Sequence, residues 1–263
     1  MCLLLFGVKA SKSFPFILAA NRDEFYQRPT AAMDFWTENP SILAGKDLEC
    51  GGTWFGINTH GRFAALTNYR DLSTLKTAAP SRGDIIVKFL ESKGSIPDFL
   101  KTLKPESTRY NGFNLLVGDC NTQYWFSNQT REITFILPGI HGISNHLMDT
   151  PWPKVTTGKK ALAKAIDANT LDPETLFKLL SDSSPPGDAL LPDTGVGLEW
   201  ERLLSPVFIK SPTYGTRSSI AMGITSQGEI RVMERTYFPD KKTSQQDQYF
   251  SLFPKGMLTK PIS

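Results

Sequence analysis

Cysteine and histidine are scarce: three of each occur in 263 residues, and neither type clusters. Cys2, Cys50 and Cys120 form no Cys-x-x-Cys pair and leave an odd count. That excludes a disulfide framework and suits a reducing compartment. His60, His141 and His146 make no His-x-x-x-His pair, so no metal site is expected. No stretch approaches the roughly 18 consecutive apolar residues of a membrane-spanning helix, so no transmembrane segment is expected. Charge of one sign is also lacking. The net charge is +3 with acids and bases interspersed, which argues against a nucleic-acid partner. Gly51-Gly52 is not followed by Gly-Lys-Ser/Thr and leads into a strand pattern, so it reads as a turn and not as a phosphate cradle. The apolar N-terminus reaches Ala19-Ala20 but has no cation before it and is interrupted by Lys9 and Lys12, the wrong order for a secretion signal. Cytoplasmic residence, or that of an organelle matrix, is the resulting expectation.

What is present begins at Cys2, directly after Met1. Removal of the methionine would leave a thiol and a free α-amine on one residue. The thiol is a nucleophile with an ordinary pKa of about 8.5. The amine titrates near about 8 and is partly unprotonated at neutral pH. Nucleophile and base then coincide. A second reading makes Cys2 a small hydrophobe at the start of a buried strand.

Residues 2–9 and 14–20 are apolar runs around a Lys/Ser turn and predict a hairpin buried on both faces. Asn21-Arg22-Asp23-Glu24 closes its second strand, so the turn brings the tetrad back toward Cys2. Residues 25–40, with Phe25, Tyr26, Phe35, Trp36 and two prolines, read as irregular. A second hairpin is predicted from 51–58 and 62–68, ending in Asn68. Helical spacing marks 85–91, 96–104, 158–168, 172–181 and 199–204, the fourth opened by Asp172-Pro173-Glu174. Strands are expected at 114–118, 123–127, 132–137, 214–222 and 229–235, with Gly142-Ile143-Ser144-Asn145-His146 after Pro138-Gly139. Residues 182–197 are a surface loop by composition. Strands and helices come in separate groups without βαβ alternation, which predicts an α+β fold with mostly antiparallel sheets. Strands apolar on both faces call for a four-layer αββα sandwich. No linker interrupts the chain, so 1–263 reads as a single domain with a peripheral tail from about 240.

Acyl transfer by a thiol needs a nucleophile, a base, oxyanion donors and groups that hold the substrate. Cys2 supplies the first two. Arg22 near it would favour the thiolate, and Asp23 could hold the ammonium. Asn68 and Asn145 are neutral donors at strand ends, suited to an oxyanion hole. Arg217, in Gly215-Thr216-Arg217-Ser218-Ser219, could clamp a carboxylate or phosphate. Trp54 and Tyr69 are candidate ligand-binding aromatics. Each has a plainer role open to it: turn residues for the asparagines, ion pairs for the arginines. Of the histidines, only His146, beside Asn145, has a suggestive position.

Cys2, Asn21-Arg22-Asp23-Glu24, Gly51-Gly52-Thr53-Trp54, Leu66-Thr67-Asn68-Tyr69-Arg70, Ser81-Arg82-Gly83, Asn145 with Pro151-Trp152-Pro153-Lys154, and Gly215-Thr216-Arg217-Ser218 together resemble the Asn-Arg-Asp-Glu (NRDE) family over about residues 1–237. The resemblance implies the αββα fold of N-terminal nucleophile hydrolases and a link to lipid, acyl-CoA or haem handling. More distantly the chain is similar to choloylglycine hydrolases and penicillin V acylases, which cleave amides with an N-terminal cysteine. Their nucleophile matches Cys2, and their site asparagines match Asn68 and Asn145 by context. Their early Arg-Asn-x-Asp pattern matches Asn21 and Asp23 but puts Ala20 at the arginine.

Two functions follow as expectations. The first is a cysteine hydrolase cleaving the carbon–nitrogen bond of a small amide, with Cys2, Asp23, Asn68 and Asn145 catalytic and no cofactor required. The second is a carrier for haem or acyl-CoA, with the aromatics at 25–36 and 54–55 lining a pocket and Arg22, Arg28 and Arg217 meeting propionates or phosphates.

Overall fold

The computed structural model describes residues 2–238 and 245–254. Its strands are β1 (Cys2–Val8), β2 (Phe16–Phe25), β3 (Thr30–Phe35), β4 (Ile42–Asp47), β5 (Phe55–Asn58), β6 (Phe63–Asn68), β7 (Phe113–Gly118), β8 (Gln123–Ser127), β9 (Ile133–Phe135), β10 (Gly139–Ile143), β11 (Tyr214–Ile224), β12 (Ile230–Tyr237) and β13 (Gln245–Leu252). The α-helices are α1 (Gly83–Glu91), α2 (Ile96–Glu106), α3 (Pro153–Asp167), α4 (Pro173–Leu180) and α5 (Leu198–Leu204). Six strands form one sheet in the order β10-β1-β2-β11-β12-β13, and seven form the other in the order β3-β4-β5-β6-β7-β8-β9. The pairings are antiparallel.

Side-chain alternation sorts the strands into layers. Leu4, Phe6, Val8, Phe16 and Leu18 meet Phe55, Ile57, Phe63 and Leu116 between the sheets. Leu3, Leu5, Ile17 and Ala19 face the other way, against Val155 and Leu162 of α3 and Leu176 and Phe177 of α4. On the far side Ala64, Leu66, Leu115 and Val117 pack against Ile85, Ile86 and Phe89 of α1 and Leu100 of α2. This is the four-layer αββα sandwich. β1 and β2 lie in its middle because both of their faces are apolar.

Capping fixes the helix starts. Ser95 accepts from the Asp98 amide at 3.2 Å, and Asp172 from the Thr175 amide at 3.0 Å. The glycine motifs serve close backbone packing. A Cβ on Gly52 would lie 2.6 Å from the Gly83 carbonyl carbon, so the turn before Trp54 rests on the start of α1.

Two regions correct the sequence reading. Residues 25–40 are not wholly irregular. β2 runs on through the tetrad to Phe25, and β3 follows, burying Met33 while exposing Asp34 and Phe35. β4 has only a short apolar core, Ile42-Leu43-Ala44, which the surrounding polar and proline residues obscured. In the expected tail, residues 245–252 form edge strand β13 beside β12. An edge strand paired on one side needs few apolar residues, which is why its Gln-rich sequence did not look like a strand. The rest of the expected tail, 240–244 and 255–263, lies outside the described residues.

Candidate active site

The register places Cys2 directly opposite Arg22, and Arg22 opposite Ser218 of β11. Position 2 has the parity of Leu4 and Phe6, the positions that face the second sheet. The side chain of Cys2, and Met1, lie outside the described residues. Arg22 is buried, and its guanidinium carbon sits 4.0 Å from the centroid of the Trp54 ring. Such stacking is worth about 1–2 kcal/mol when desolvated. A Cβ on Gly45 would overlap that indole, so glycine there is what admits Trp54. Glu24 lies 3.9 Å from Arg22. A narrow cleft of about 10 Å³ between the sheets is lined by Leu4, Ala20, Arg22, Trp54, Leu66 and Ile220.

The opposite face of β2 carries Asn21 and Asp23. The Asn21 amide donates to the carbonyls of Leu180 (3.0 Å) and Val207 (2.8 Å) and accepts from Ser219 (2.5 Å). It rivets β2 to the end of α4. Asp23 is 1% exposed and accepts from the Thr216 hydroxyl at 2.7 Å. Burial pushes its carboxyl up, opposed by the charge of Lys154 and the Thr216 bond.

A one-residue bulge in β11 separates the pairs Thr216–Asp23 and Ser218–Arg22 and leaves Arg217 between them. Its Nη1 donates to the carbonyls of Phe25 (2.9 Å), Tyr26 (3.1 Å) and Arg28 (3.1 Å). The nitrogen expected to clamp a ligand thus closes the turn after β2. Arg28 is likewise engaged, with Asp47 at 2.7 Å.

Asn68 and Asn145 come together. The Asn145 amide donates to the Asn68 carbonyl at 3.0 Å, and the Arg70 amide donates to the Asn145 carbonyl at 2.8 Å. Asn145 is fully buried, while the Asn68 side chain is half-buried and makes no hydrogen bond among the described residues. Tyr69 bonds His146 Nε2 at 2.9 Å, and Thr150 bonds His146 Nδ1 at 2.9 Å. Burial lowers the His146 pKa and raises that of Tyr69, so both are neutral at pH 7.

The sequence reading missed a buried charge network. Arg70 pairs with Glu201 at 2.6 Å, with side chains 5% and 4% exposed. Lys154, also buried, donates to the Leu204 carbonyl at 2.9 Å and acts electrostatically on Asp23. One signal was available: Lys154 stands in the first turn of α3, where the helix dipole disfavours a cation. Glu234 was missed as well. It is 1% exposed on β12 and accepts from the Met33 amide at 2.5 Å.

The aromatics expected to line one pocket are scattered. Phe25 and Phe35 are exposed, Trp36 and Phe55 belong to different cores, and Trp54 lies under Arg22. Among the described residues no His/Cys/Asp/Glu cluster could hold a metal ion. Nor is any described helix long and apolar enough to cross a membrane.

Solved structures with this layering include the C2A mutant of the conjugated bile acid hydrolase from Clostridium perfringens. It matches with a TM-score of 0.54 at 10% identity, over 95% of this chain and 92% of that one. Another variant of that hydrolase matches at 0.51. The fold is therefore that of N-terminal nucleophile hydrolases. In sequence, the Transport and Golgi organization protein 2 homolog of Bos taurus is 34% identical over 257 residues, 90% of this chain and 93% of the relative. The Drosophila melanogaster Transport and Golgi organization protein 2 is 27% identical over 266 residues, covering 90% and 92%. The family model for Transport and Golgi organisation 2 matches residues 1–239, and the chain belongs to that family.

Proposed function

We propose that the protein is an N-terminal cysteine hydrolase that cleaves the carbon–nitrogen bond of a small acylated amine. The observation that carries this reading is the register. Cys2 lies opposite Arg22, beside the inter-sheet cleft, and Asp23 is held on the reverse face by Thr216. With Met1 removed, the α-amine of Cys2 takes the thiol proton and the thiolate attacks the amide carbonyl carbon. The Asn68 and Asn145 amides donate to the oxyanion; losing one such donor typically costs about 10²–10³ in rate. As the carbon–nitrogen bond breaks, the ammonium returns its proton to the leaving amine. Water then attacks the thioester, giving a proton back to the amine and a carboxylic acid to solution. Asp23 is the group that holds the ammonium.

The test compares wild type with Cys2→Ser against a panel of acyl-amides, after intact mass has confirmed loss of Met1. Turnover with a burst, and an acyl adduct on the N-terminal peptide, are expected for wild type alone. Retained Met1, or no turnover by wild type, overturns the reading.

A carrier of haem or acyl-CoA is the second reading, and a different observation favours it. A cleft of about 620 Å³ on the outer face of the six-stranded sheet is walled by Tyr26, Phe177, Phe208 and Tyr237, with Lys178 and Lys210 among its lining residues. Tight binding of haem or palmitoyl-CoA, lost on Phe208→Ala and unchanged by Cys2→Ser, is its expected signature.

A further inference from the structure

The buried carboxylates outside the cleft are paired. Glu201 meets Arg70 through one oxygen and Thr194 through the other, and Asp23 meets Thr216. Glu234 differs. Its Oε2 takes the Met33 amide, but Oε1, also buried, has no hydrogen-bond partner within 3.5 Å among the described residues, and neither has the Ser218 hydroxyl, which with Thr236 lies near enough to act on the carboxyl. An unsatisfied buried carboxyl oxygen is costly. The residue also shares a face with the site. Alternation along β12 puts Glu234 on the face of Ile230 and Val232, toward the second sheet. It pairs directly with Ile220, which lines the inter-sheet cleft. Residues Cys2, Arg22, Ser218 and Thr236 form one row across β1, β2, β11 and β12. Glu234 stands two residues along β12 from that row, on the same face.

We propose that Glu234 is a positioning residue for the Cys2 site: by binding or releasing a proton it sets, against Arg22, the net charge facing position 2. The proposal takes its functional meaning from the reading of Cys2 as a nucleophile. The groups facing Glu234 are Arg22 from β2, the Ser218 hydroxyl from β11, the Met33 amide from β3 and Thr236 on its own strand. Burial pushes the Glu234 carboxyl up to about 7, against the opposing pull of the Met33 amide, Ser218 and Arg22. Below that pH the carboxyl is neutral and the Arg22 charge, shared already with Glu24 at 3.9 Å, favours a thiolate more strongly. Above it the carboxylate offsets Arg22 and the thiol becomes harder to ionise.

Thiol reactivity tests this without reference to turnover. The full-length protein, with Met1 loss confirmed by mass, is alkylated with iodoacetamide between pH 5 and 9, and labelling of the Cys2 peptide is timed by mass spectrometry. Wild type should show a step near pH 7 in addition to the thiol and amine titrations. Glu234→Gln, which keeps an acceptor for the Met33 amide, should lose that step. Its thiol midpoint should fall by about 0.8 pH units, the effect of a unit charge roughly 15 Å away at an effective dielectric constant near 20. A step that persists in Glu234→Gln, or an unmoved midpoint, overturns the proposal. So does a wild-type profile with no step near 7, a measurement that does not depend on the variant folding. A Glu234-dependent step without turnover of any amide overturns the hydrolase reading and leaves this one standing. Turnover with Glu234-independent thiol reactivity does the reverse.

Discussion

On the helix side of β2, Asn21 is bonded to two carbonyls and a hydroxyl, and Asp23 to Thr216 with Lys154 near it. One residue over, on the side facing the second sheet, Arg22 is stacked on Trp54 beside a cleft, and Glu234 and Ser218 keep polar atoms with no partner among the described residues. Both faces are equally buried, so exposure does not explain the difference. The helix side joins two layers, and each unmade bond there costs stability directly. The inner side leaves buried polar atoms unmet, at a cost in stability. The tetrad therefore serves two layers from alternate positions, with 21 and 23 joined to the helix side and 22 facing the cleft between the sheets.

The largest test of that division is Asn21→Ala. It leaves the Leu180 and Val207 carbonyls and the Ser219 hydroxyl without their partner and should destabilise by about 3–4 kcal/mol in denaturant unfolding. A loss under 1 kcal/mol would erase the contrast between the faces. Glu234→Gln should act in the opposite sense. The native carboxyl titrates at about 7, against about 4.3 in an unfolded chain. Between those values the native state binds the extra proton, so wild-type stability declines as pH rises through that window. Well above pH 7 the Gln variant should be more stable than wild type by up to about 3–4 kcal/mol, and the gain should vanish below pH 4. Melting curves at pH 4 and 8 check the sign. The smallest effect is expected from Thr216→Val. It removes one bond to Asp23 and one from the Ile209 amide, for a loss of about 1–2 kcal/mol. A larger loss would mean that Asp23 depends on Thr216 more than on Lys154.

Much of the fold was legible because its core strands and amphipathic helices are written in local pattern. The β1–β2 and β5–β6 hairpins, and α1, α2 and α4, appear close to where apolar spacing and capping residues placed them. The short β4 and the polar edge strand β13 lacked that pattern. In the site, the sequence marked Asn68 and Asn145 as neutral donors at strand ends, while the bond from the Asn145 amide to the Asn68 carbonyl comes from packing between distant segments. Arg70 and Glu201 are 131 residues apart in sequence, and neither carries a local mark of burial. Glu234 reads as one acid in an ordinary alternating strand, and only the packing of β3 against β12 reveals that it is enclosed. Arg217 looked like a ligand clamp because nothing in the sequence shows that the turn after β2 presents three carbonyls to it.

The bulge at Arg217 works like a reading frame. Before it, the side chain opposite Asp23 is that of Thr216; after it, the one opposite Arg22 is that of Ser218, so two even-numbered residues serve opposite faces of the sheet. Deleting a single residue here would not shorten a loop. Losing Arg217 would leave Thr216 and Ser218 as neighbours in ordinary strand alternation, each still opposite Asp23 or Arg22 on its own face, and would take away the guanidinium that closes the turn after β2.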